Sequence, residues 1–170
     1  CKFARNQCFI RQRIFMNSIP TVTKNLLIIN VLCFFGGVVA MKYGINLNDL
    51  LGLHFFMASD FNPAQLITYM FMHAGILHIL FNMLWLYWFG ALFLNFFSAR
   101  HLRGVYILGG ICGGLLYMTA YNIFPYFRPM TEYSFMLGAS ASVLAIVAAT
   151  AYREPDYPIR LFLFGTVRLK

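Results

Sequence analysis

Between Asp60 and Arg100 the chain carries no aspartate, glutamate, lysine or arginine. That run is too long for one straight crossing of a bilayer, which takes about 20 residues to span about 30 Å at about 1.5 Å per residue. Three other apolar stretches are near the crossing length: residues 25–43, 105–123 and 135–152. Within the uncharged run, Pro63 to Met72 reads as a loop helix, which leaves a second span over 73–98. Only 11% of the residues are charged and 61% are hydrophobic. A soluble domain has about a quarter charged residues, so this chain cannot cover its apolar surface with a polar one. The fold class is therefore all-α, a multi-pass bundle of transmembrane helices.

Charge placement sets direction. Lys2, Arg5, Arg11, Arg13 and Lys24 precede the first span. Arg100 and Arg103 lie between the second and third, and Arg153, Arg160, Arg168 and Lys170 follow the fourth. The other two connections hold only Lys42 and Arg128. The positive-inside bias puts the N-terminus and the Arg100 loop in the cytoplasm, so spans two and four both run from outside to inside. The net charge of +8 suits the anionic inner face of a membrane, and no basic stripe on a soluble domain suggests nucleic acid. Cys1, Cys8, Cys33 and Cys112 are scattered, which argues against a disulfide framework or a metal site.

The ends are less informative. Met16 opens "MNSIP" like a natural start, so residues 1–15 are expected to be a basic extension without a fold of their own. At the other end "YPIRLFLFGTVRLK" alternates apolar and basic residues, and is expected to be an interfacial segment leading into a further span. The long connection over 45–62 is expected to lie half in the outer interface.

Polar side chains within spans are costly and point to function or to helix–helix glue. The second span opens with "HAGILHILFN", His73 to Asn82. His78 and Asn82 are four apart and share a helix face. One such residue is most simply glue; two histidines and an asparagine within ten residues tip the balance toward a site. The fourth span opens with "GASAS", Gly138 to Ser142. Ser140 and Ser142 are two apart, so only one of them can face the cluster. The topology brings Ser140, His78 and Asn82 to one depth on the outer side. Gly109/Gly113 and Gly110/Gly114 on the third span form small-xxx-small pairs suited to close helix packing.

These two motifs and the order of the spans resemble the rhomboid family of intramembrane serine proteases over about Met16 to Lys170. The resemblance implies that Ser140 is the nucleophile, that His78 and Asn82 hold the oxyanion, and that His73 supports the site by hydrogen bonding. It also implies a six-span core of which the chain carries the first four, with a base histidine on a sixth span beyond residue 170. His54, in the outer connection, and His101, on the cytoplasmic side, are placed wrongly to replace it. Two departures are Ala141, where glycine is frequent, and Asn95, where many members carry an acid. The implied activity is cleavage of a membrane-anchored protein by a Ser–His dyad, with no cofactor and no metal. The expected setting is the bacterial cytoplasmic (inner) membrane; the expected partners are a transmembrane protein substrate and the bilayer, with no nucleic acid. Two competitors are an inactive rhomboid-like binder of membrane clients, which an intact Ser140 opposes, and a channel or transporter. A channel needs polar residues through the full depth, and here they cluster at one side.

Overall fold

A computed structural model describes residues 19–161 and 165–168. The expected extension over 1–15 lies outside the described residues. Three helices are long and apolar enough to cross a membrane: α1 (Thr21–Lys42), α4 (Ile76–Phe93) and α5 (Ala99–Ile123). The long connection after α1 holds the short helices α2 (Leu47–Leu51) and α3 (Gln65–Thr68), the latter continued by a 3-10 turn over Tyr69–Phe71. The last helix, α6 (Ser140–Arg153), has 14 residues.

Several boundaries differ from the sequence expectation, and three of the differences have a local reason. The second span begins at Ile76 and not at residue 73, because Gly75 is fully extended (φ −175°, ψ 175°). His73 therefore precedes the helix that carries His78. The third starts earlier, at Ala99, where the Ser98 side chain accepts the His101 backbone N–H and caps the helix. The fourth starts later, at Ser140: Phe135–Met136 is extended and pairs antiparallel with Leu53–His54, Leu53 opposite Met136.

Packing reverses the soluble pattern. On α1 the apolar Ile28, Ile29, Leu32 and Phe35 are exposed, as suits lipid, while Thr23 and Asn30 are fully buried. Asn30 donates from Nδ2 to the Tyr106 hydroxyl (3.1 Å), a polar bond between α1 and α5. Thr23 sits against Gly90 of α4. α6 packs on both α5 and α4.

The α5 glycines divide their work. Gly109 and Gly113 face Ala145 and Ala141 of α6. Gly110 faces Met70, and Gly114 faces Leu53 and Leu66. One pair thus admits a helix, as the spacing suggests, and the other admits the connection between α1 and α4. That connection is partly built into the protein: Leu53, Phe55, Ala58, Tyr69 and Met70 are buried, while Leu50, Phe56 and Met57 are exposed. Gln65 ties it together, accepting at Oε1 from the His54 and Asn62 N–H groups and donating from Nε2 to the Leu50 and Asp60 carbonyls. After α6, Pro158–Leu161 and Gly165–Arg168 pair as antiparallel strands, Pro158 opposite Arg168. Within the expected interfacial segment the described residues thus form an antiparallel strand pair.

Candidate active site

The turn ahead of Ser140 is built by backbone geometry. Strand pairing delivers the chain to Leu137, and Gly138 then takes φ +106°. L side chains rarely adopt that conformation, so glycine is required there. Space demands glycine as well. A Cβ at position 138 would lie 2.6 Å from His78 Nε2 and 3.7 Å from Asn82 Nδ2. The "GASAS" turn and the α4 polar face are therefore in contact through residue 138. The Gly138 N–H is held by the Tyr69 carbonyl at 2.9 Å.

α6 starts two residues later. The Val143 N–H donates to the Ala139 carbonyl at 2.9 Å. The N–H groups of Ser140, Ala141 and Ser142 lie ahead of that first bond and have no carbonyl a turn behind them within the helix. They mark the positive end of the helix dipole. Ser140 is exposed. Ser142 is fully buried, its Cα close to Gly109 of α5, and its hydroxyl has no partner among the described residues. The two serines do face different ways, and Ser140 is the accessible one.

On α4, His78 is half-buried and Asn82 is buried. Asn82 Nδ2 donates to the His78 carbonyl at 2.9 Å, one turn back on the same helix. The His78 ring stands edge-on to His73, centroids 5.1 Å apart, and its Nδ1 lies 3.4 Å from the Ala74 N–H. His73 is 2% exposed; its Nδ1 is 3.3 Å from the Phe71 carbonyl, and its own carbonyl accepts from Asn48. Burial, reinforced by the His78 ring, pushes the His73 pKa down to about 4, which leaves the ring neutral at pH 7.

A family model described as Rhomboid domain matches residues 61–169. The chain belongs to the rhomboid family. That family generally comprises serine intramembrane proteases, and the three crossing helices make this rhomboid chain a membrane protein. No curated protein matches it. The remaining histidines of the rhomboid chain are engaged away from Ser140. His54 Nε2 is 2.8 Å from the Asp49 carbonyl, and His101 Nδ1 is 2.8 Å from the Ser98 hydroxyl. Sequence reasoning missed Tyr69, which holds Gly138, and Gln65, which organises the connection between α1 and α4. Nothing in the spacing of either marks it, because both act through contacts with backbone groups.

Proposed function

We propose that the chain carries the nucleophile and the oxyanion donors of an intramembrane serine endopeptidase that cuts membrane-anchored proteins near the outer face. The observation that carries this reading is the contact of Gly138 with His78 and Asn82, two residues ahead of an exposed Ser140 at the start of a helix. In the proposed reaction Ser140 Oγ attacks the scissile carbonyl carbon while its proton passes to a base. Charge develops on the carbonyl oxygen. The Ser140 N–H, His78 and Asn82 are donors suited to that charge, and in a low-dielectric site such donors act strongly. The C–N bond then breaks, the amine leaves with a proton, and water releases the acyl group from Ser140.

The base is proposed to be a histidine beyond residue 170, since the rings of His54 and His101 are held elsewhere and His73 and His78 face each other. Depth is consistent with an outward-opening site. The 14 residues of α6 rise about 21 Å, about 9 Å short of the hydrocarbon thickness. With Arg153 at the inner surface, Ser140 lies below the outer one and needs a water path to it. We place the protein in the bacterial cytoplasmic membrane with its N-terminus inside, in line with the basic residues on one side of the spans.

The test is cleavage of a single-pass reporter protein by the full-length protein in liposomes. Wild type is expected to cut, and Ser140→Ala to abolish cutting. His78→Ala and Asn82→Ala are each expected to cost about 10²–10³ in kcat with KM little changed. If the two residues only join helices, the loss is instead in thermal stability, about 0.6 kcal/mol per hydrogen bond. Reporter binding without cleavage by the wild type would replace the protease reading with that of a client-binding protein.

A further inference from the structure

Tyr69 is fully buried and belongs to no motif, yet both of its ends are engaged. Its hydroxyl donates to the Gly110 carbonyl of α5 at 2.6 Å. Its carbonyl accepts the Gly138 N–H at 2.9 Å. Between these points the ring lies against the glycine face of α5. A Cβ at Gly113 would stand 3.4 Å from the Tyr69 hydroxyl, and one at Gly114 would stand 3.6 Å from its ring. One residue therefore links a crossing helix, through its phenol, to the left-handed Gly138 turn, through its backbone carbonyl.

We infer that Tyr69 is a positioning residue that holds the Gly138 turn, and through it Ser140, in register with His78 and Asn82. This rests on the proposed role of Ser140. Gly138 occupies a conformation that most residues avoid, and glycine itself has no side chain to hold it there. Something external must select it, and the Tyr69 carbonyl fixes the direction of the Gly138 N–H. That carbonyl also accepts the Met72 N–H at 3.1 Å in the 3-10 turn, and the Tyr69 phenol ties this turn to α5 at the glycine row that also receives α6. Ser140 is two residues from Gly138, so a small shift of the turn moves its hydroxyl relative to the α4 donors. Misplacement of about 1 Å can cost as much as 10²-fold in rate.

The test uses the full-length protein and Tyr69→Phe, which keeps the ring and removes only the anchor. Asn30→Leu, which cuts a buried polar bond between α1 and α5, serves as a stability control. Two readouts are taken: hydrogen exchange at the Gly138 amide, and the rate of Ser140 labelling by a fluorophosphonate. Tyr69→Phe is expected to speed Gly138 exchange at least about 10-fold, since a local opening no longer has to break the phenol anchor. Labelling and kcat are expected to fall about 10-fold or more with KM unchanged. Asn30→Leu is expected to change neither at matched melting temperature. Unchanged exchange at Gly138 overturns the inference. Faster exchange with unchanged labelling also overturns it, because the turn would then not govern Ser140. A wild type that is never labelled at Ser140, yet responds at Gly138 to Tyr69→Phe, removes the protease reading and leaves the anchoring of the turn standing. If the phenylalanine variant does not fold, 3-fluorotyrosine at position 69, which keeps the ring and perturbs only the phenol, replaces it; Gly138 exchange and Ser140 labelling unchanged from the wild type then overturn the inference.

Discussion

Gly138 shows how much chemistry one missing side chain can carry. Its φ of +106° and the 2.6 Å approach of His78 to a would-be Cβ both disfavour alanine. Gly138→Ala is expected to lose about 1–2 kcal/mol from the left-handed backbone alone. The clash must then be relieved by moving the His78 ring. Melting in detergent and reporter cleavage should both fall, and a Gly138→Ala variant with normal melting and normal cleavage would show that the turn tolerates a side chain. At this scale the sequence was informative where chemistry is rare. A serine after a glycine at the head of an apolar segment, and an imidazole and an amide four apart, stand out because a membrane span has little other use for them. It was silent where the contribution is a backbone atom. Any residue could supply the carbonyl that Tyr69 offers to Gly138, so no residue type marks it.

Helices were legible by their lack of charge, but their ends were not. Apolarity runs without a break through Phe135–Met136 into α6, although the first two residues are in a strand and the helix waits for Ser140. Only tertiary pairing with Leu53–His54 decides that, and hydropathy cannot see it. The same limit applies to the glycine row of α5. Its spacing announced close packing but could not say which pair receives a helix. The structure assigns Gly113 to Ala141 of α6, while a Cβ at Gly104 would meet nothing within 4 Å. Gly113→Val is therefore expected to destabilise by about 1–3 kcal/mol through overpacking and to reduce cleavage, as it pushes α6 from α5. Gly104→Ala is expected to be neutral or slightly stabilising through helix propensity, up to about 1 kcal/mol. Thermal melting of the two variants in one detergent separates the outcomes, and equal losses would contradict the packing described for α5.

For the whole molecule, the proposed orientation rests on the distribution of basic residues and on nothing in the packing. With Lys42 and Arg128 alone on the other side among the 13 basic residues, cysteines placed at Asp60 and Glu132 should label from outside with an impermeant maleimide, and one at Glu154 should not. The reverse pattern would turn the molecule over and put the site on the cytoplasmic face. The family was legible because two motifs on different spans meet in space, and the α4–α6 contact at Gly138 is where they meet. The central claim, that Ser140 is an activated nucleophile at that meeting point, is tested most directly by reacting the full-length protein with a serine-directed fluorophosphonate and mapping the adduct by mass spectrometry. The account predicts an adduct on Ser140, absent in Ser140→Ala and unaffected by Ser142→Ala. An adduct that survives Ser140→Ala and disappears with Ser142→Ala would contradict it.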